Sequence, residues 1–438
     1  MCKGTGIRTR GIALAKYHIG TDREGQECLG KRAGVPLPDE LLDAGAHTLS
    51  LEQRAALWDY FAPRLCLEAA RKALGAWTGH VAADITHVLT TNTSGWREPG
   101  LSCHLIHELG LSLDTQKADL NFNGCFCGMT CLRLARDIVR SGDRRAVLVV
   151  GVEVASLQSD EAAQDPQSLV AYSLFADGAG AFIVASEGSW RFSDAGMSVI
   201  AGSGHLLGMQ PHAAPQAGLA RPPRQSFQMT LSPAVPAALG AYFMCGNPGA
   251  AVLERVLAGG PAADTALAVH PGGPRILEAL SSRLSQGVGL PADALAESYE
   301  TLHEYGNLGS TAILFVLARV FSSTAKGHVA ALAFGPGVTV EWGAFQRVQQ
   351  QSQARPGGVR VAPTERDLAA WAADLTARES ALEARLAELE GPPAPGRRSL
   401  WQRRMPCPTV FHPMMLLPLS ATLVAAAAVI MVVFFGIF

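Results

Sequence analysis

Three side chains that can act together in nucleophilic catalysis each stand beside a glycine turn. Cys125 follows Gly124 where a strand-like run enters a predicted helix, His270 ends an apolar run before a Pro-Gly-Gly turn, and Asn307 follows Gly306. The dipole and free N–H groups at a helix N-terminus favour a thiolate, the nucleophilic form of cysteine. Side chains at strand-to-helix junctions can converge at one end of a sheet. We therefore expect a nucleophilic cysteine with a histidine and an amide as partners.

The same residue types also have purely structural interpretations. A cysteine is most often a small buried residue, and Cys127 and Cys131 in the same predicted helix fit that description. A single histidine is often a packed polar residue, and asparagine is a common helix cap. The occurrence of all three at similar junctions is what favours a catalytic site.

Helical and strand-like segments alternate from residue 6 to about residue 346. Residues 64–77 and 127–141 have helical patterns, residues 86–91 and 146–152 are strand-like, and residues 329–334 form another near-continuous apolar run. Such runs are typical of strands buried on both faces. The alternation predicts an α/β fold with a largely buried sheet.

The helices predicted after Gly124 and Gly306 resemble each other. One ends in Leu-Ala-Arg at residues 134–136 and the other in Leu-Ala-Arg at residues 317–319, and an apolar strand follows each. This pattern indicates two copies of one strand-turn-helix-strand unit, with a chance match as the alternative. In two copies, Cys125 and Asn307 would hold equivalent positions.

Composition excludes several classes of protein. The chain has 438 residues, 48% of them hydrophobic and 17% charged, and its formal net charge is −2. Disorder requires low hydrophobicity, and nucleic-acid binding usually shows a basic excess, so we expect neither. The nine cysteines include no Cys-x-x-Cys pair and follow no apolar signal segment, which favours reduced thiols facing the cytosol.

The C-terminal quarter differs from the rest of the chain. Residues 347–363 are predicted to be a linker, and residues 364–390 an amphipathic spacer helix with leucines every seven residues, either solvated or a weak coiled coil. Residues 391–413 are rich in Pro and Arg. Residues 414–438 carry no charge and are long enough to span a bilayer, so we expect a membrane anchor with the preceding domains on the cytoplasmic side.

Several longer motifs occur in a fixed order along the chain. They are Gly-Cys-Phe-Cys-Gly-Met-Thr at 124–130, Leu-Phe-Ala-Asp-Gly-Ala-Gly at 174–180, Val-His-Pro-Gly-Gly-Pro at 269–274, Glu-Tyr-Gly-Asn at 304–307 and Phe-Gly-Pro-Gly at 334–337. Together they resemble the landmarks of type III polyketide synthases, the chalcone synthase family. The resemblance implies a duplicated thiolase-like fold with αβαβα layers, whose halves would be residues 1–190 and 191–346.

The resemblance also implies roles for individual residues. Cys125 would accept the acyl group, and His270 would stabilise its thiolate as an ion pair. His270 and Asn307 would then stabilise the enolate of decarboxylated malonyl-CoA. No metal or other cofactor is implied, and the substrates would be malonyl-CoA and an acyl-CoA starter on a homodimeric enzyme.

Further residues match the family's substrate cavity and CoA entrance. Phe175 would be the aromatic gate, and Met229 or Phe227 would hold the place of a second gating residue. Gly309 suggests room for a bulky or long chain. The remaining cavity positions implied by the family are Thr93, Phe334, Gly335, Pro336 and Gly337, and those near the CoA phosphates are Lys3 and Arg275.

Two departures from the family stand out. The sequence aligns from Met1 inside the first half, so we expect either a start assigned too late or an unstable or inactive protein. Glu98 stands where the family usually has an apolar residue that reaches toward the partner subunit, which puts the dimer contact or the cavity wall in doubt.

The sequence therefore predicts a membrane-tethered polyketide synthase that makes a pyrone or a phenolic ring, with a long-chain acyl starter as a further hypothesis. A ketoacyl synthase of the fatty-acid initiation type, using an acyl carrier protein, is one alternative. A catalytically impaired, membrane-bound scaffold is another.

Overall fold

The computed structural model describes residues 5–10, 49–142, 145–158, 166–211, 227–257, 262–288, 290–291, 293–348 and 434–436. Lys3, the spacer helix predicted at 364–390 and the Pro/Arg-rich segment predicted at 391–413 lie outside these residues. So does the predicted linker, apart from its first two residues.

Eleven strands of the described chain form one large sheet and a small hairpin. In chain order they are β1 (His87–Thr91), β2 (Gln116–Asp119), β3 (Val147–Val154), β4 (Asp177–Val184), β5 (Trp190–Val199), β6 (Leu207–Pro211), β7 (Phe227–Leu231), β8 (Thr265–Val269), β9 (His328–Gly335), β10 (Thr339–Arg347) and β11 (Phe434–Gly436). The large sheet has the order β2-β1-β3-β4-β11-β5-β10-β9-β8, and β6 pairs with β7. Both β3 and β4 are buried along their whole length, as their apolar runs predict.

The helices are connected to these strands in alternation. They are α1 (Leu51–Ala76), α2 (Leu101–Glu108), α3 (Cys127–Arg140), α4 (Pro166–Leu174), α5 (Val235–Tyr242), α6 (Pro248–Leu257), α7 (Pro274–Val288), α8 (Ala296–Tyr305) and α9 (Ala312–Ser323). A capping box starts α1: Gln53 N–H donates to the Ser50 hydroxyl, and Ser50 N–H donates to the Gln53 side chain.

The internal repeat predicted from the two Leu-Ala-Arg helices is confirmed by strand pairing. β1 is parallel to β3, which is antiparallel to β4. In the same way β8 is parallel to β9, which is antiparallel to β10. Because α3 leads into β3 and α9 leads into β9, Cys125 and Asn307 both lie in the turn before the repeated helix.

Three hydrophobic clusters give the layers. Apolar residues of α1 and α2 pack on the first half of the sheet. Residues of α3 and α9 pack between the strands of both halves, and residues of α5, α6 and α7 cover the second half. The repeated helices α3 and α9 therefore form a central layer between the two halves of the sheet. With α1 and α2 outside the first half and α5, α6 and α7 outside the second, the halves of the sheet are the two β layers of the predicted order.

The predicted membrane anchor, residues 414–438, is described only at residues 434–436. These residues form β11, which pairs parallel with both β4 and β5, so the prediction of a helix is wrong at these three positions. Their backbone groups are paired by strands whose edges would otherwise lack a partner there. Among the residues that the structure describes, no helix is both long enough and apolar enough to cross a bilayer.

Candidate active site

Cys125 lies in the turn between β2 and α3, against the loop that follows β9. Gly124 has φ +98°, and a Cβ atom there would come within 2.1 Å of the Pro336 ring. Only glycine allows this turn to touch that loop, because the left-handed backbone and the close contact both exclude a side chain. Cys125, in the first half, is thereby held against the second half.

The Cys125 residue lines a cavity of about 330 Å³. Its walls come from the ends of β1 and β3, from the turn after Gly306, from α4 and from the β6–β7 hairpin. The lining residues are Thr93, Ser94, Phe122, Gly124, Cys125, Glu153, Ala155, Gln158, Ser168, Ala171, Tyr172, Phe175, Leu207, Gly208, Met209, Met229, Gly309 and Pro336. Most of them are apolar, which suits a carbon chain attached to the thiol.

Asn307 does not line this cavity, but it is linked through the backbone to Phe175, which does. Asn307 N–H donates to the carbonyl of Leu174 (2.8 Å), and Ala176 N–H donates to the carbonyl of Asn307 (3.0 Å). The Asn307 side-chain Nδ2 donates to the carbonyl of Gly272 (3.3 Å), and its Oδ1 accepts from Gly309 N–H (3.0 Å). The amide orientation is thus set by two backbone groups.

His270 follows β8 directly, and its backbone N–H donates to the carbonyl of Leu332 (2.8 Å). It is buried, and its Nδ1 has no hydrogen-bond partner among the described residues. Because Asn307 bonds to Gly272, two residues after His270, the loops that carry these side chains are joined. Of the three residues predicted to be catalytic, only Cys125 lines the cavity; Gly309, in the same loop as Asn307, lines it as well.

The acid–base state of the site differs from the sequence-based expectation. Burial raises the pKa of the Cys125 thiol to about 12, and the nearby Glu153 carboxylate adds to that rise. Burial lowers the pKa of His270 to about 3. Both shifts favour the neutral thiol and the neutral imidazole over the thiolate–imidazolium pair expected from the sequence.

The thiol pKa leads to a prediction about alkylation. The rate of Cys125 alkylation by iodoacetamide is expected to rise by about tenfold per pH unit between pH 6 and 9, because the thiolate fraction grows at that rate below the pKa. The measurement is mass spectrometry of the Cys125 peptide at timed intervals. A rate that reaches a plateau below pH 7 would show instead that the ion pair already exists in the free enzyme.

Several of the predicted cavity residues take the expected place. Thr93, Phe175, Met229, Gly309 and Pro336 all line the cavity. The side chain of Phe227, at the start of β7, is not among those described.

Other residues predicted for this loop region do not line the cavity in the described part of the chain. Phe334 is a buried core residue that packs edge-on against Phe243 rather than lining the cavity. Gly335 and Gly337 do not line it either. Gly335 lies instead against the Cys125 backbone, where a Cβ atom would be 3.0 Å from the Cys125 nitrogen. Arg275 is exposed at the N-terminal end of α7, which leaves a role in CoA binding as a prediction.

Gly309 lines the cavity, but its missing side chain does not create extra room for substrate. Its φ is +55°, and a Cβ atom there would come within 3.0 Å of the Glu153 carboxyl group. The suggestion that Gly309 makes space for a long chain is therefore wrong, because the Glu153 carboxyl group occupies the place next to its Cα atom. A side chain at this position would displace a buried carboxylate rather than only narrow the cavity.

Glu153 is the main functional candidate that the sequence interpretation missed. It is 1% exposed and accepts hydrogen bonds from the backbone N–H and hydroxyl groups of both Thr93 and Ser310. It therefore joins the end of β1 to the turn before α9, across the two halves. The available signal was a single acidic residue in the otherwise apolar run of β3, because a buried carboxylate needs a specific reason.

The β6–β7 hairpin offers a second prediction. Gly208 lines the cavity, and a Cβ atom there would meet no atom within 4 Å, so a larger side chain has space to enter. Gly208→Leu is expected to shorten the main polyketide by at least one malonyl-derived unit while leaving the thermal midpoint within about 2 °C. Product masses and a melting curve measure the two effects.

Gly204→Leu provides the matched control for this change. Gly204 is exposed, also has open space at its Cβ position, and does not line the cavity. Its products should match those of the wild type. Unchanged products in Gly208→Leu would mean that the hairpin does not bound the growing chain.

Comparisons with known proteins agree with this geometry. The chalcone and stilbene synthase N-terminal domain matches residues 37–188, and the C-terminal domain of the same family matches residues 252–348. The chain is also 31% identical to bisdemethoxycurcumin synthase from Oryza sativa subsp. japonica over 315 residues, which cover 67% of this chain and 73% of that protein. The chain belongs to the chalcone and stilbene synthase family.

Solved structures of type III polyketide synthases share the fold. One is 1,3,6,8-tetrahydroxynaphthalene synthase from Streptomyces coelicolor, with a TM-score of 0.64 and 23% identity, covering 80% of this chain and 88% of that one. Another is PKS-I from the brown alga Ectocarpus siliculosus, with a TM-score of 0.63 and 23% identity, covering 79% and 87%. The duplicated α/β thiolase-like fold predicted from the motifs is confirmed.

Family membership assigns the reaction class. This type III polyketide synthase is an acyltransferase that condenses malonyl-CoA, uses CoA thioesters as substrates and needs no cofactor. That assignment favours the polyketide prediction over the carrier-protein-dependent and scaffold alternatives. Homologues in the family are typically homodimers.

Proposed function

We propose that Cys125, His270 and Asn307 carry out the condensation in the 330 Å³ cavity. The Cys125 sulfur attacks the thioester carbonyl of the starter, its proton passes to the neutral imidazole of His270, and CoA leaves as the thiolate that takes up this proton. The acyl group then remains on Cys125. The observation that carries this proposal is a thiol on the wall of a mostly apolar cavity, beside a loop joined to the one that holds His270.

The extension step requires stabilisation of an enolate. Loss of CO₂ from malonyl-CoA leaves an electron pair that is delocalised onto the thioester oxygen. N–H groups of His270 and Asn307 would donate to this oxygen, and the carbanion carbon would attack the acyl carbon on Cys125, releasing the thiolate. The Asn307 amide suits this role because its orientation is already set by Gly272 and Gly309.

We propose that the product is cyclised to a pyrone or a phenolic ring. The volume of the cavity bears on the length of the starter. The cavity is close to the lower end of the roughly 300–1,000 Å³ that small-molecule sites occupy. This size supports a short polyketide on a compact starter. A long acyl chain would have to extend past Phe175 or past the β6–β7 hairpin.

The test is an incubation of the full chain with malonyl-CoA and acyl-CoAs of increasing length, with products identified by mass spectrometry. Carrier protein is omitted, and Cys125→Ala is the blank. We expect cyclised products that depend on Cys125. A starter preference that rises up to long chains would support the lipid hypothesis, whereas a preference for short or aromatic starters would refute it.

We also propose that the enzyme works as a homodimer, as its relatives typically do. Trp96 is 68% exposed, and the neighbouring Glu98 is also exposed, so this loop is open to a second subunit. Light scattering of the full chain in detergent should give twice the monomer mass. A monomeric mass with full activity would contradict the proposal.

We propose, from the sequence alone, membrane tethering on the cytoplasmic side. Because residues 434–436 pair as β11 with β4 and β5, tethering requires that pairing to be released. Residues 414–438 are uncharged and follow Arg397, Arg398, Arg403 and Arg404. A double substitution, Leu423→Arg with Ile430→Arg, places charges within the segment and leaves residues 434–436 unchanged. The unaltered chain should resist carbonate extraction from membranes and the variant should not; equal extraction of both would contradict tethering.

A further inference from the structure

The C-terminal end of α4 carries two residues of the cavity wall, Tyr172 and Phe175. The last carbonyl groups of a helix have no partner within the helix and must find one elsewhere. Here the carbonyl of Ala171 accepts from Phe175 N–H, and the carbonyl of Leu174 accepts from Asn307 N–H. The carbonyls of Tyr172 and Phe175 accept from a donor outside both segments.

Arg10 supplies that donor. Its Nη1 lies 2.6 Å from the carbonyl oxygen of Tyr172 and 3.0 Å from that of Phe175. A guanidinium at a helix C-terminus is doubly favourable, because it satisfies free carbonyls and opposes the negative end of the helix dipole. One cation therefore bonds to the backbone of two cavity residues.

The segment that carries Arg10 is itself held on α8. The backbone N–H groups of Arg8 and Thr9 both donate to the carbonyl of His303, and Arg8 forms an exposed ion pair with Glu300. The side chain of Arg10 also lies against Gly306, where a Cβ atom would be 3.2 Å from the Arg10 Cδ. Arg10 is thus positioned between α4 and the turn before Asn307.

Phe175 is consequently held from two sides. The Asn307 backbone is hydrogen-bonded to the residues on both sides of Phe175, the Leu174 carbonyl and the Ala176 N–H. Arg10 donates to the carbonyl of Phe175 itself. If Arg10 were removed, two carbonyls at the end of α4 would lose this donor, and the last turn would be free to move away from the cavity.

We propose that Arg10 is a positioning residue that fixes the Tyr172–Phe175 wall of the cavity and thereby controls starter binding and chain length. The proposal rests on the proposed function of that cavity. It assigns a role in the site to residues 5–10, which lie far from Cys125 in sequence and contribute no cavity-lining side chain.

The experiment compares Arg10→Ala, Arg10→Lys and the control Arg8→Ala in the full chain. Arg8 is in the same segment but forms only a surface ion pair and backbone contacts. Hydrogen exchange should speed up in residues 166–176 of Arg10→Ala and not in Arg8→Ala. With the best starter from the acyl-CoA panel, Arg10→Ala should raise KM about fivefold or more, change kcat less, and shift the product ratio.

Rescue separates positioning from a general loss of stability. Ethylguanidinium should restore part of the product ratio in Arg10→Ala and have no effect on Arg8→Ala, and Arg10→Lys should lie between the wild type and Arg10→Ala. Unchanged exchange in residues 166–176 would overturn the proposal. So would faster exchange with unchanged KM and product ratio. Products from the wild type in the same assay test the proposed function independently of these variants.

Discussion

Cys125→Ala is expected to lower polyketide formation by about 10³-fold or more, whereas Cys127→Ala is expected to keep most of the activity. Cys125 lines the cavity, so its sulfur can reach a thioester. Cys127, the first residue of α3, is 0% exposed, and its thiol donates to the carbonyl of Leu120 at 3.5 Å. Only the first of the two thiols has access to substrate.

On pKa direction alone, Cys127 rather than Cys125 would be the more reactive thiol, so the two variants separate acidity from access. Hydrogen bonding with Cys131 lowers the pKa of Cys127, although burial opposes this shift. Burial and Glu153 instead raise the pKa of Cys125. A thiolate that cannot contact substrate is not a nucleophile for it, so we expect access to outweigh acidity. The proton of Cys125 would leave only when substrate is bound.

Intact-protein mass spectrometry after a single turnover with starter acyl-CoA measures the outcome. An acyl adduct should form on the wild type and on Cys127→Ala but not on Cys125→Ala. Cys127→Ala removes a buried sulfur from the core, so a loss of stability of about 1 kcal/mol is expected and is monitored by melting. An adduct on Cys125→Ala would assign the nucleophile to another residue.

Glu153→Gln is expected to destabilise the fold by about 1–3 kcal/mol and to lower the condensation rate, because an amide cannot accept all the hydrogen bonds that the carboxylate accepts. Thr93 and Ser310 both direct N–H and O–H groups at this carboxylate. The amide NH₂ would face some of these donors. The connection between β1 and the turn before α9, which helps to shape the cavity, would loosen.

Glu153→Gln should also lower the pKa of the Cys125 thiol. The Glu153 charge raises the pKa of Cys125, so its removal lowers that pKa and should speed alkylation of Cys125 at pH 8. Burial raises the pKa of Glu153 itself, whereas its hydrogen bonds with Ser310 and Thr93 favour the ionised form. Slower or unchanged alkylation would show that Glu153 is already neutral in the folded enzyme.

Glu341→Gln is the matched control for Glu153→Gln. Glu341 is also fully buried and is paired with Arg133, with 2.6 Å between Arg133 Nε and Glu341 Oε1. It does not line the cavity and is not among the groups that shift the pKa of Cys125. The Glu341→Gln substitution should therefore lower stability, because Arg133 loses its charged partner. The alkylation rate of Cys125 should stay unchanged.

The sequence by itself determined the fold class, the repeat and the three catalytic candidates. The short, β-branched apolar run at residues 147–154 predicts a strand buried on both faces, as the structure shows. Gly124 and Gly306 mark the turns that precede the repeated helices. These are local properties of the chain. The motifs that contain them placed the chain in the correct family.

The tertiary structure alone decided which of these residues share a site and in what chemical state. Gly309 looked like space for substrate, but across the fold that space is filled by Glu153. Arg10 is 162 residues from Tyr172 in sequence, and no local pattern could connect them. The pKa of Cys125 is raised by burial and by the Glu153 carboxylate, which comes from another strand, although its place before a helix predicts a lowered pKa. Local patterns report conformation, whereas desolvation, charge and contact arise only where distant segments meet.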